Sequence, residues 1–195
     1  MEEKDITHEE SLMLIKEMIV NAKSAYYSSG AWALLWGITN VICFTLAYLN
    51  AKGYIHMPFN PFYLMGITIL LQFYFDRKER RSKRATSYLE TTSKYVWITF
   101  AISVTILTIT GSMTDLDYFT LPMLLMLFAM PTFITGCLFK FPAMIVGGII
   151  CWILFIVTMF YQQFESFLLV AAGAFFAWVI PGIILQLKHN KKHGV

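Results

Sequence analysis

Charge is scarce in this chain: 14% of its 195 residues are Asp, Glu, Lys or Arg, against roughly 25% in an ordinary soluble domain. Histidine is as sparse. His8, His56, His189 and His193 all fall near a terminus or in a loop. None offers an axial or metal ligand from inside an apolar run. His189 and His193 stand four apart, but within a Lys-rich tail that reads as solvated. The three cysteines, Cys43, Cys137 and Cys151, lie in separate apolar runs with no CxxC. That excludes a redox motif and gives small buried hydrophobes. GxSxG, HExxH and a phosphate-cradling GxxxxGK(S/T) are also missing. The expectation is a non-enzymatic protein without a cofactor.

The absence of ionisable residues from the apolar cores excludes more. Such residues mark proton relays, ion paths and substrate sites, because they are costly to keep in lipid. Their lack counts against a proton- or cation-coupled carrier. Missing charged rings and filter-like loops count against an ion channel.

What is abundant is apolar sequence: 57% hydrophobic residues, 16% aromatic, and a mean hydropathy of +0.61. It comes in long uncharged blocks, the signature of membrane spans. Six are legible, at residues 31–49, 59–75, 95–111, 118–139, 142–160 and 164–187. They lack the alternation of a barrel strand, and a backbone in lipid must satisfy its own hydrogen bonds, so they are expected to be helices. The expected fold class is all-α. It is a polytopic membrane bundle of six transmembrane helices, preceded by an amphipathic cytoplasmic helix over residues 1–30 and followed by a basic tail, 188–195.

Charge between the spans gives the orientation. Fourteen of the fifteen basic residues fall on one side of such a bundle, and Lys52 stands alone on the other. Lys and Arg collect in cytoplasmic loops, so both termini are expected in the cytoplasm of a bacterial inner-membrane protein. Arg77, Lys78, Arg80, Arg81, Lys83 and Arg84 crowd the loop after the second span. This cluster is first a topology signal and second a contact for anionic lipid, worth about 1 kcal/mol per residue near the surface. Nucleic acid is not an expected partner: the chain carries only +3 and no reader motif. Tyr and Trp near the span ends suit the headgroup level.

The start, "THEESLMLIKEMIVNAKSAYYSSG", has an acidic beginning and no secretory pattern. Thr7 and Glu10 form a capping box, and Leu12, Ile15, Ile19, Ala22 and Tyr26 line one apolar face. The segment is expected to lie along the membrane, or through residues 7–28 to dock a protein partner or a second copy. Its opposite charge to the loop at 76–94 makes contact with that loop plausible.

Polar residues inside the spans are mild. Pro131 in the fourth span frees the carbonyl of Leu127, which Thr132 or Thr135 is placed to satisfy. Pro181 breaks the sixth span similarly. With Thr99 and Ser103 of the third, these residues point to a ligand pocket between spans three, four and six. Ordinary interhelical hydrogen bonding is the competing reading. Small residues four apart (Ala33 with Gly37, Ala143 with Gly147, Gly173 with Ala177) permit close helix packing, within one bundle or between two.

The stretches "ESLMLIKEMIVNAKS", "PTFITGCLFKFPAMIVGGIICW" and "WVIPG" together resemble a group of small bacterial six-span membrane proteins. The resemblance implies location and topology, and no activity, substrate or functional residue. Two functions are therefore carried forward. One is a scaffold or regulator acting through the cytoplasmic helix and basic loop. The other is a carrier or binding protein for an apolar or neutral small molecule or lipid.

Overall fold

A computed structural model describes residues 30–80, 88–114, 117–161 and 163–193. The start with its capping box, and Arg81, Lys83 and Arg84 of the basic cluster, lie outside these residues. The described chain is helical, with no strand. Its helices are α1 (Gly30–Ala51), α2 (Tyr63–Arg80), α3 (Tyr88–Met113), α4 (Asp117–Leu138), α5 (Pro142–Thr158), α6 (Gln163–Ala174) and α7 (Ile180–His193). A five-residue π-helical turn, Phe175–Val179, joins α6 to α7 in one continuous rod.

Four of these segments are long and apolar enough to cross a membrane: Gly30–Ala51, Thr91–Met113, Phe119–Leu138 and Phe164–Lys188. Two are shorter, Tyr63–Tyr74 and Pro142–Thr158. The second expected span thus differs most from its sequence reading. Residues 59–62 are bend and turn rather than helix. There Asn60 accepts the Phe62 N–H through its side chain and the Tyr63 N–H through its carbonyl. Asn and Pro together favour a turn over a helix start. The third helix, in contrast, begins at least seven residues before Tyr95, because the sequence "YLETTSK" is polar without being helix-breaking.

The core sits where the π-turn meets α1, α4 and α5. Phe44, Leu125, Phe128, Cys151, Val170 and Trp178 are buried there. Glycine makes these approaches possible. A Cβ on Gly37 would stand 2.9 Å from the Val179 nitrogen, and one on Gly147 2.6 Å from the Phe176 carbonyl oxygen. Gly30 and Gly182 bring α1 and α7 equally close, each lying within reach of the other's carbonyl. The small-residue pairs are thus occupied inside one bundle. The π-turn has a local cause in Pro181, which has no N–H to continue the ladder. Ile180 instead bonds back five residues to the Phe175 carbonyl.

α2 and α3 flank this core on separate sides and do not pack on each other; α2 lies on α1, and α3 on α4. α2 is tied to α1 by polar side chains. Trp36 Nε1 donates to Gln72 Oε1 at 2.6 Å, and the hydroxyls of Thr39 and Thr68 meet at 3.1 Å. α3 is nearly bare: 6% of its apolar stretch is buried, and Ile98, Ile102, Ile106 and Ile109 are exposed. In water, so much contiguous apolar surface would aggregate; against lipid it is at home.

The two ends of the bundle differ in charge. Lys140 and Lys188 mark one end, where Lys188 Nζ lies 5.2 Å from the Phe141 ring. At the other end Lys52 pairs with Glu165 at 2.7 Å, tying α1 to α6.

Candidate functional site

α3 and α4 are antiparallel and meet most tightly away from the basic end. A Cβ on Gly111 would stand 2.5 Å from the Thr120 hydroxyl oxygen. Towards the basic end they part, leaving a groove of about 490 Å³, within the range of small-molecule sites. Tyr88, Thr91, Thr92, Tyr95, Thr99 and Ser103 form its α3 wall, and Leu127, Met130, Pro131 and Ile134 its α4 wall. Phe100 lines the groove too. Behind Phe100 its ring meets Trp178 edge-on at 6.0 Å and Phe128 at 6.0 Å.

The register follows from the Gly111–Thr120 contact. Counting back along both antiparallel helices, Ser103 faces Phe128 and Phe100 faces Pro131. Lys140 follows the last residue of α4, Leu138, on the same side as the groove mouth. The groove is therefore graded. Two tyrosines and two threonines stand at the basic end, and Val96, Phe100, Leu127, Met130 and Pro131 lie deeper. The hydroxyls of Thr92 and Thr99 already donate to their own helix, to the carbonyls of Tyr88 and Tyr95. They therefore make the wall mildly polar without demanding an acceptor from a ligand.

Three of the six residues expected to form a pocket, Thr99, Ser103 and Pro131, line this groove. Thr132 and Thr135 do not line it; both are fully buried. Thr132 Oγ1 accepts a 3.1 Å hydrogen bond from Trp178 Nε1, and the Thr135 hydroxyl has no partner among the described residues. Thr135 thus does not satisfy the carbonyl that Pro131 frees. Pro181 is buried in the last helix, one residue before the crossing with α1. The groove is bounded by two helices, with the last one behind the wall through Trp178. Of the basic cluster, Arg77 is exposed on α2, and Lys78 and Arg80 fall on the same helix.

Among the lining residues missed from sequence are Tyr88, Thr91, Thr92, Tyr95 and Phe100 of α3. Their signal was present: with Thr99 and Ser103 they recur every three or four positions along one helix face.

Chemistry beyond binding finds little material among the described residues. No three His, Cys, Asp or Glu side chains converge on a common point. The Glu165 hydrogen bond raises the Lys52 pKa, but that pair sits at the opposite end from the groove mouth. Comparison with family models, curated proteins and solved structures gives no match.

Proposed function

We propose that this is a six-span, non-enzymatic integral protein of the bacterial cytoplasmic membrane that binds a membrane lipid in the groove between α3 and α4. Both termini lie on the cytoplasmic side. The observation that carries the reading is the groove itself. It is laterally bounded by a helix whose apolar stretch is only 6% buried, so whatever surrounds α3 has access to it.

Six crossings are supported by packing as well as hydropathy. α5 returns along α4 behind a tight turn, with Gly136 and Gly148 at the contact. A helix so docked shares the depth of its neighbour. Its 17 residues span about 25 Å, a mismatch that tilt or local thinning absorbs. α2 carries Arg77 exposed near its far end, and a crossing there gives the one-sided distribution of Lys and Arg that favours the six-span reading.

Filling the groove tests the reading. In native mass spectrometry of protein extracted gently from its own membrane, the wild type retains a stoichiometric lipid. Thr99→Trp, which puts a large ring into the groove, releases it. Equal retention by the two proteins refutes the site.

A second reading, a scaffold or regulator working through residues 7–28, is favoured by the capping box and the apolar stripe of that segment. Deleting residues 1–28 then abolishes function while the bundle still inserts; full activity of the truncated protein rejects it.

A further inference from the structure

We propose that the groove is a blind slot for one acyl chain of an anionic phospholipid, with the headgroup held at the Lys140 turn. The proposal rests on the lipid-binding reading above and adds to it a head, a direction and a length.

The direction comes from the grading of the walls. An amphiphile lying in the groove places its polar end among Tyr88, Thr91, Thr92 and Tyr95, and its tail along Val96, Phe100, Leu127 and Pro131. Tyr rings favour the level of the headgroups, which agrees with a mouth at the basic end. A detached apolar molecule would not use the polar third of the site.

The length comes from the helix register. The part walled by both helices runs from Ile134 to Leu127, about 10 Å at the helical rise. One leaflet of hydrocarbon is about 15 Å deep, so the slot lies within a single leaflet. Its lining ends at Ser103 and Leu127, and further along the same two helices are in close contact at Gly111 and Thr120, which we take as its floor. A chain entering from the basic end thus meets a floor before the midplane is passed.

The charge comes from Lys140. The α4–α5 connection is a Schellman turn. The Phe141 N–H reaches the Gly136 carbonyl at 2.8 Å, and the Lys140 N–H that of Cys137 at 3.2 Å. The motif puts its fifth residue in the left-handed region, normally a glycine. Here it is Lys140, at φ 51°, and among the described residues no other non-glycine adopts a positive φ. A β-carbon is unfavourable in that conformation, so glycine would build the same turn at lower cost. Strain kept at a non-glycine residue is reason to ask what its side chain does. This side chain is exposed in the turn that ends α4 on the mouth side of the groove, beyond the lining residue Ile134. A cation there selects an anionic headgroup.

The test uses the full-length protein in vesicles that mix phosphatidylglycerol and phosphatidylcholine, each offered with decanoyl and with stearoyl chains. Lipid retained after extraction is read by native mass spectrometry. The wild type retains phosphatidylglycerol in preference to phosphatidylcholine. Lys140→Gly keeps the turn and folds at least as well, yet its headgroup preference falls about fivefold, the weight of one lysine near an anionic surface. Leu127→Phe and Ser103→Phe raise the floor, and the retention of decanoyl relative to stearoyl lipid falls about fivefold or more, as overfilling a site that the short chain alone fits requires. Ile106→Phe, on the exposed face of α3, changes neither ratio. An unchanged headgroup ratio in Lys140→Gly refutes the anionic head, and an unchanged chain ratio in both floor variants refutes the blind slot. A wild type that retains no lipid overturns the underlying lipid-binding reading instead, so the two failures are told apart.

Discussion

Adding one methyl group at Gly147 should unsettle the bundle more than adding the same group elsewhere. A Cβ there would meet the Phe176 carbonyl oxygen at 2.6 Å and the Ala177 Cα at 2.9 Å. Both are backbone atoms of the π-turn, and no side-chain rotation relieves them. Relief requires α5 to move away from the last helix, which opens contacts around Ala177 and Trp178. Overpacking of this kind costs about 1–3 kcal/mol. Alanine's better helix propensity returns at most about 1 kcal/mol. The net expectation for Gly147→Ala is a loss of about 1–2 kcal/mol. Gly66→Ala is the matched control, since a Cβ there meets nothing within 4 Å. It should be neutral or more stable by up to about 1 kcal/mol, the propensity term alone. Equilibrium unfolding in mixed micelles, followed by tryptophan fluorescence, compares the two. If Gly147→Ala matches Gly66→Ala, then α5 does not press on the π-turn as described, and the glycine is not there for packing.

Two further outcomes follow from the same structure. Thr132→Val keeps the volume but leaves the buried Trp178 indole N–H without its acceptor. A loss of about 1–3 kcal/mol is expected, and Trp178→Phe should cost less on top of it than in the wild type, because the indole N–H has already lost its acceptor; a fully additive double mutant would show that the 3.1 Å bond carries no coupling. At the other end, the Lys52–Glu165 pair stabilises only while Lys52 is charged. Its pKa is raised, chiefly by the Glu165 hydrogen bond, so the contribution is full below the ordinary lysine range and is lost as pH rises through the raised value. The midpoint difference between wild type and Lys52→Gln should therefore be flat across neutral pH and vanish as pH rises into strong alkali; its disappearance near neutrality contradicts the assignment.

The helices themselves were largely legible in the sequence, because uninterrupted apolar blocks leave a membrane backbone little choice. α1 and α4 begin and end within a few residues of their expected bounds. α2 was misjudged at its start, since the Asn60–Pro61 turn is set by a side-chain hydrogen bond that hydropathy does not register. α3 runs beyond its expected span at both ends, since polarity marks where an apolar stretch stops and not where a helix does. The candidate groove was half legible. Thr99, Ser103 and Pro131 were identified by polarity and helix-breaking chemistry, and they share one site. Thr132 and Thr135 share that chemistry, but they sit on the face of α4 turned away from the groove. A proline or threonine names a position of interest without saying which side of the helix it serves. Whether the small-residue pairs served one bundle or two was likewise undecidable from spacing alone. The glycine contacts with Val179, Phe176 and Leu125 decide it for the described bundle. Nothing in the sequence pattern marked Lys140 as a strained residue, because left-handed backbone at a lysine follows from the turn closing behind it.

The most direct measurement is photo-crosslinking of the reconstituted wild type with a phospholipid carrying a diazirine in its acyl chain, followed by mapping of the labelled residues. The account predicts label concentrated on Val96–Ser103 of α3 and Leu127–Ile134 of α4. Label spread evenly over the exposed faces of α2 and α3, with no excess in the groove, would contradict it.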